Sequence, residues 1–444
     1  LKARPLPLLL LLFPLLAAEP PKMSPPPVER SEVEVNDPKL KASIDDAIKR
    51  GVAWLKARQL SSGAWPASDN KMPPYPGGSG RVHDYQQELS ALALLALLKC
   101  GVPPSDTCVS KGLTWLQKQE CNVSAYSPAI CLLVLDAKYT PKEAVAKPGK
   151  KAPKPEPIVP SKEDLAWAIK LTNQLTGSQA RNGGWRYHSV PTDMEGGKPG
   201  IGDVSCTQYA LMGLKTAKRL GIPVKPEAFG RALDFLLDQQ EADGKSWTRI
   251  TRRKEGEEDD AGGYADKARG WPYMKGAANA HEAMASGGMT CAGVVGILIC
   301  RSEILEAKDF PDRAKRQPKA EQSMWDGLAW LDANWSTVQN PAHGNYELGY
   351  YLYALERVGV MADLRMIGPG HDWYVQGAQT WMDKLNQDPA DIAATLGSSA
   401  LPREIAEMGF WGFSQCRPKA ETQDTPYALL FLRKASIRLG YAVE

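Results

Sequence analysis

One short pattern recurs along the 444-residue chain and restricts what it can fold into. A small residue is followed three positions later by an aromatic and then by an apolar residue. The copies are Gly51/Trp54/Leu55, Gly112/Trp115/Leu116, Ala232/Phe235/Leu236, Gly327/Trp330/Leu331 and Ala378/Trp381/Met382. Spacings of three and four residues put the members of each copy on one helical face. In the first copy Ile44 and Ile48 extend the stripe, while Asp45, Asp46, Lys49, Arg50 and Lys56 surround it, giving an amphipathic helix with one wet side. A unit that cannot bury its apolar face alone must stack on its neighbours.

Each amphipathic segment is followed by a second segment that is apolar on every side. These are Leu89 to Leu98, Pro128 to Leu135, Tyr209 to Leu214, Cys291 to Cys300, Leu348 to Leu355 and Tyr427 to Leu432. A helix apolar all round is buried all round. The simplest arrangement places these in an inner ring, with the amphipathic helices outside. No segment alternates with period two, so the expected fold is all-α, an α/α toroid of about six helix pairs. The pairs start near residues 44, 107, 163, 227, 321 and 372.

Punctuation supports this order. Asp84, Asp203, Asn345 and Asp424 stand where inner helices need N-caps. Gly101, Gly221, Gly359 and Gly440 stand where left-handed C-caps belong. The expected organisation is a signal segment over 1–18, a flexible Pro-rich leader over 19–42 and a single toroid over 43–444. Insertions are expected near 139–162, 245–275, 305–322 and 386–408. In the first segment Lys2 and Arg4 precede an apolar run to Ala18, with small residues at its end. That is the order of a secretory signal, and the run falls short of the roughly 20 residues that span a membrane. The expected location is therefore exported, periplasmic or secreted, with no transmembrane segment in the mature chain.

Charge excludes other classes. Lys and Arg total 54 and Asp and Glu 51, with no dense basic block among aromatics, so nucleic acid is not an expected partner. The eight cysteines contain no C-x-x-C pair; Cys100 and Cys108, across one interhelical turn, are the pair to test for a disulfide.

After two of the outer helices the chain reads Gln59-Leu-Ser-Ser-Gly63-Ala-Trp65 and Gln179-Ala-Arg-Asn-Gly183-Gly-Trp185, with a looser copy at Gln240, Gly244 and Trp247. Gln can tie the helix end to the next loop, Gly permits the reversal, and Trp plugs the seam between pairs. This repeat resembles the Q-x-x-x-G-x-W element of squalene cyclases. The chain over roughly 44–440 resembles the terpenoid cyclase and protein prenyltransferase superfamily, and most closely the exported bacterial prenyltransferase/squalene oxidase repeat proteins. Gly183 to Tyr187, Asp203 to Met212, Gly287 to Ala292, Tyr353 to Gly359, Gly370 to Tyr374 and Asp424 to Leu432 carry the latter likeness.

The resemblance implies the fold but not the superfamily's chemistry. Squalene–hopene cyclases protonate an alkene with an Asp of D-x-D-D-T-A. The matching stretch here is Asp203-Val-Ser205-Cys206-Thr207, in which two of the three acids are replaced. Neither Ser nor Cys supplies the strong acid that step needs. The prenyltransferase zinc set of Asp, Cys and His is incomplete: Asp203 and Cys206 are misspaced, and Asp424-Thr425-Pro426-Tyr427 stands where its His would lie. No metal site and no cofactor are expected. The five histidines, His83, His188, His281, His343 and His371, show no metal-ligand spacing.

Candidate cavity-mouth residues are Asp84, Tyr85, Glu88, Arg186, Tyr187, Asp203, Tyr346, Glu347 and Asp424. Carboxylates beside aromatics can bind or cleave a glycan, although capping explains several of them. The favoured expectation is a non-catalytic toroid that binds an unknown small apolar or glycan ligand, or a partner, in or around a central cavity. A cyclase-like enzyme with a displaced acid and a polysaccharide-active toroid are the alternatives.

Overall fold

The computed structural model describes residues 37–67, 85–120, 125–140, 159–187, 201–248, 265–397, 402–413, 420–436 and 439. The expected signal segment lies outside the described residues, as do Asp84, His83, His188, Cys121, Cys416 and Gly440.

Among the described residues, outer and inner helices alternate. The first three pairs are α1 (Pro38–Ala57) with α2 (Gln86–Lys99), α3 (Thr107–Lys118) with α4 (Tyr126–Tyr139), and α5 (Lys162–Gly177) with α6 (Val204–Arg219). Then α7 (Pro226–Gln239) is followed by a hairpin of β1 (Lys245–Thr248) and β2 (Ala265–Ala268), by the single turn α8 (Ala280–Ala283), and by the inner helix α9 (Gly287–Glu306). Next come α10 (Arg313–Ala333) with α11 (Leu348–Met361), a two-residue ribbon of β3 (Met366–Ile367) and β4 (His371–Asp372), and α12 (Trp373–Asp383). The short helices α13 (Pro389–Leu396) and α14 (Pro402–Ile405) separate α12 from the last inner helix, α15 (Glu421–Leu432).

The inner helices form a closed ring. Contacts run from α2 to α4, α6, α9, α11 and α15, and α15 returns to α2. The outer helices lean on this ring, α3 on α2, α5 on α4 and α6, α7 and α10 on α9, and α1 on α15. The fold is an all-α toroid. Helix α9 is long and apolar enough to cross a membrane by composition, but 83% of that window is buried within the ring. Its Gly293 and Gly296 admit Trp271 and Leu236 against the backbone, which suits a core helix packed on all sides.

Two of the expected boundaries shift. Asp37 caps α1 through its carboxylate and Pro38 opens the helix, so the leader ends before residue 38 rather than at 42. Residues 313–322 of the expected insertion are helical and lengthen α10. The insertion near 245–275 contains strands, an unexpected exception to the helical pattern. Lys245 pairs with Ala268 and Thr248 with Ala265. The hairpin is anchored on α10, where Asp326 accepts from Lys267 N at 2.8 Å and from Arg269 Nε at 2.8 Å.

Capping departs from expectation too. Asp203 does cap α6, its Oδ1 accepting from Cys206 N at 2.7 Å. Asn345 does not cap α11: the cap position is Glu347, in the left-handed region with φ 52°. Asp424 lies inside the first turn of α15 and accepts instead from Phe413 N at 2.9 Å. Gly101 and Gly221 end α2 and α6 with φ of 88° and 80°. Gly359, however, is inside α11, where the Trp373 indole lies 2.1 Å from the place a Cβ would occupy. The left-handed residue after α11 is Asp363 and the one after α15 is Lys434. All four helices close alike: Val102 N bonds Leu97 O, Ile222 N bonds Ala217 O, Leu364 N bonds Gly359 O and Ala435 N bonds Leu430 O.

Cys100 and Cys108 are free thiols rather than a disulfide. Cys108 lies on the buried stripe of α3, while Cys100 ends α2 close to Arg433 beyond α15. Burial pushes both thiols up to about 12, so both are inert at neutral pH.

The Q-x-x-x-G-x-W elements act as staples. Gln59 Nε2 donates to Gly63 O at 2.9 Å and to Cys108 O, on the next outer helix, at 2.8 Å. Gln179 Nε2 repeats this with Gly183 O at 2.8 Å and Ala228 O at 2.9 Å. Gly63 and Gly183 have φ of 98° and 92°, and a Cβ on Gly183 would meet Arg231 O at 2.1 Å, so only Gly fits. Trp65 and Trp185 are fully buried. Their indoles donate to Leu55 O and Leu175 O at 2.8 and 2.7 Å, and their backbone amides to Ser90 and Thr207 on the inner helices.

The third copy is closed by Trp271, not Trp247. Trp271 is fully buried, its indole donates to Leu236 O at 2.8 Å and its amide to Thr290 Oγ1 at 3.2 Å. The β1–β2 insertion splits Gln240 from its tryptophan, and Trp247 is carried onto α10, where it bonds Asp332. A fourth copy was not apparent from the sequence. Trp411 donates to Trp381 O at 2.7 Å and its amide bonds Thr425 at 3.0 Å, with α13 and α14 inserted between.

Candidate functional site

Residues gather along the ring axis in two layers. The first lies at the N-terminal ends of the inner helices. Glu88 of α2 is buried and accepts from Ser127 Oγ at 3.3 Å. Tyr126 of α4 shares a short hydrogen bond with Ser205 of α6, and Ser205 bonds the Tyr350 hydroxyl of α11 at 2.7 Å. The Tyr187 ring packs on Tyr126 at 5.1 Å. Asp203 sits beside this chain, fully buried. The Tyr273 hydroxyl and the Cys206 thiol lie close enough to its carboxylate to favour the anion.

Burial dominates the Asp203 carboxyl. It pushes the pKa up to about 6 against the cap hydrogen bond and the Arg186 charge, both of which favour the anion. The cap alone would predict a stable anion; the loss of water outweighs it. Cys206, next to it, is driven still further above the usual thiol range by burial and by Asp203, and is no nucleophile.

The expected site residues therefore separate. Glu88, Tyr187 and Asp203 belong to this layer, and Arg186 lies close enough to favour the Asp203 anion. Tyr85 sits at the cap position of α2. Tyr346 is exposed and packs on His281 and His343, whose rings stack at 3.7 Å. Glu347 opens α11 near Tyr427, and Asp424 is buried against Phe413. Asp84 lies outside the described residues. Among the described residues no group of three or more His, Cys, Asp or Glu is placed to hold a metal.

The second layer was missed. Arg357, in the middle of α11, is fully buried. Its guanidinium lies 4.0 Å from the Tyr353 ring centre and 4.9 Å from that of Tyr209. Nη1 donates to Gln208 Oε1 at 3.1 Å, Nη2 to the Tyr209 hydroxyl at 3.3 Å and Nε to Tyr353 O at 3.3 Å. The Tyr350 hydroxyl also donates to Gln208 Oε1, leaving Gln208 Nε2 without a partner. Burial pushes the Tyr350 and Tyr353 phenols up, so they stay neutral. A Glu-Arg pair inside an apolar inner helix was the available signal, because such a helix has no solvent into which to extend a charge.

Toward the C-terminal ends of the inner helices lies a cavity of about 330 Å³, lined from every inner helix. Leu95, Leu133, Met212, Ile299, Met361 and Leu430 supply its apolar wall, and Tyr353 also lines it. Its rim is charged: Lys99 lines it, together with basic groups that are paired. Lys215 and Lys218 pair with Glu303 and Glu306, and Arg219 pairs with Asp136 at 3.1 Å. Below the axis Glu356 accepts from Ser436 N and Oγ at 3.0 and 2.6 Å, and burial raises its pKa to about 7.

No protein-family model matches the chain. No curated protein matches it either. Among solved structures it is similar to the apo form of the type II terpene cyclase MstE from Scytonema, at 11% identity over 67% of this chain and 80% of that one, with a TM-score of 0.25. A TM-score that low carries no argument for fold or activity, so the toroid assignment rests on the closed ring of inner-helix contacts.

Proposed function

We propose that this is an exported, non-catalytic α/α toroid that binds a small apolar ligand in its axial cavity. The observation that carries this reading is the cavity itself, formed by side chains of all the inner helices and walled mainly by aliphatic carbon. At about 330 Å³ it lies at the small end of ligand pockets, which run from about 300 to 1,000 Å³. Export rests on the order of charge, apolar run and small residues over 1–18.

One observation favours a second reading, a cyclase-like enzyme using Asp203 as acid: its carboxyl holds a proton unusually well. Position argues against it. Asp203 precedes the first turn of α6, whereas Met212 is the first α6 residue on the cavity wall, roughly 13 Å further along at 1.5 Å per residue. The tyrosine and Arg357 layer lies between them.

Thermal melts with dodecanol test the reading. The melting temperature should rise with dodecanol in the native protein and stay fixed in Leu95→Trp, whose indole fills the cavity. A rise of equal size in both proteins would place binding elsewhere and end the proposal.

A further inference from the structure

Among the described residues, Tyr353 is the one buried tyrosine whose hydroxyl has no hydrogen-bond partner. On α11 itself the Tyr350 hydroxyl bonds Ser205 and Gln208, and that of Tyr351 donates to Ser336 O at 2.7 Å. Across the ring, Tyr209 accepts from Arg357 and Tyr427 from Gln423. Tyr374 donates to Leu432 O at 2.8 Å, and Tyr126 and Tyr139 bond Ser205 and Asp164. Tyr353 is only 4% exposed, and a buried hydroxyl left unbonded is costly. Packing fixes its ring. The Arg357 guanidinium lies 4.0 Å from the ring centre, and the Tyr427 ring stacks on it at 5.3 Å.

Among the described residues, Tyr353 is also the only tyrosine in the wall of the axial cavity. It precedes Met361, another wall residue, by eight positions on α11, roughly 12 Å along the helix. That sets it at the inner end of the cavity, away from the basic groups in the last turns of α2 and α6. Other polar groups of the wall are accounted for. Ser436 Oγ donates to Glu356 at 2.6 Å. The Thr216 hydroxyl is unbonded too, but a helix threonine can turn to the carbonyl one turn earlier, here that of Met212. Lys215, Lys218 and Arg219 face Glu303, Glu306 and Asp136.

A single phenol in an aliphatic wall suits one uncharged oxygen. A carboxylate at this end would need several donors to offset its lost water. The Arg357 nitrogens cannot supply them, being committed to Gln208, Tyr209 and the Tyr353 carbonyl. A cation would face the Arg357 charge. We infer that the cavity takes an uncharged amphiphile, an apolar body carrying a hydroxyl or carbonyl oxygen, and that the Tyr353 hydroxyl hydrogen-bonds that oxygen. This rests on the cavity reading above and adds the ligand's charge, polar group and orientation, oxygen inward and apolar end toward the rim.

Affinities of the full chain for 1-octanol, 1-chlorooctane and octanoate at pH 8, taken from melting-temperature shifts across ligand concentration, test this. Tyr353→Phe should melt as the native protein does without ligand, because the hydroxyl it removes bonds nothing in the chain. It should bind octanol about fivefold more weakly, the loss of one hydrogen bond, and chlorooctane as before. Thr216→Val should leave octanol binding within about twofold. A clearly lower melting temperature for unliganded Tyr353→Phe would mean that the hydroxyl serves the fold, and would overturn the inference. Octanol binding unchanged in Tyr353→Phe but still blocked by Leu95→Trp would also overturn it and leave the apolar cavity standing. So would a loss confined to Thr216→Val, which would set the oxygen at the rim end. Octanoate binding more tightly than octanol to the native protein, a comparison that needs no variant, would reject the uncharged class. Binding of neither octanol nor chlorooctane would remove the cavity reading and this inference together.

Discussion

Asp203 shows how one side chain can be structural and chemically unusual at once. It caps α6 through Oδ1, yet its full burial raises its pKa from 3.8 to about 6. A raised carboxyl pKa means the folded state holds the proton more tightly than the unfolded one. The associated stability is fully present below about pH 4 and is lost as pH rises through 6. Asp203→Asn keeps the cap and removes the titration. Its melting temperature should match that of the native protein at pH 4 and exceed it at pH 8, by an amount on the order of 3 kcal/mol in stability. Melts that differ equally at both pH values would show that Asp203 does not titrate there. Capping at this position was legible in the sequence, because an acid preceding an apolar helix is a local signal. The pKa was not, since it is set first by burial, and then by Tyr273 and Arg186, which folding brings to it from elsewhere in the chain.

At the level of elements, the staple determines how one helix pair joins the next. The two contiguous copies could be recognised because Gln, Gly and Trp fall within one heptapeptide. The other two could not. In those the insertion lies between helix end and tryptophan, so the indole reaches its carbonyl across 35 or 30 residues rather than 10. Assigning the third copy to Trp247 followed sequence spacing; folding instead places Trp271 in the seam and Trp247 on the hairpin. Trp271→Ala should therefore cost about 3–5 kcal/mol, as truncation of a buried tryptophan does. Trp247→Ala, half-buried with one hydrogen bond, should cost about 1–2 kcal/mol. Chemical denaturation of both variants checks the order, and a larger loss at Trp247 would reverse the assignment. The same reasoning explains the C-caps. Glycine announces a left-handed residue after α2 and α6, whereas Asp363 and Lys434 adopt it because their surroundings require it.

Across the whole molecule, the alternation of wet-faced and apolar helices made the two-ring architecture legible, and the contacts from α2 round to α15 and back close the inner ring. The contents of the ring were far less legible. Attention to acids near inner-helix starts identified Asp203 and Glu88 but passed over the layer of Arg357, Gln208 and tyrosines, which only the closed ring assembles from α6 and α11. It also offered no sign that the open space lies at the opposite, C-terminal ends of those helices. The central claim is that this axial space holds an apolar ligand. A crystal of the full chain soaked with 12-bromododecanol, with diffraction collected at the bromine edge, tests it most directly. The account predicts one anomalous peak on the ring axis, among Leu95, Met212 and Leu430. Occupancy of that space by the protein's own side chains, with bromine only on the outer surface, would contradict it.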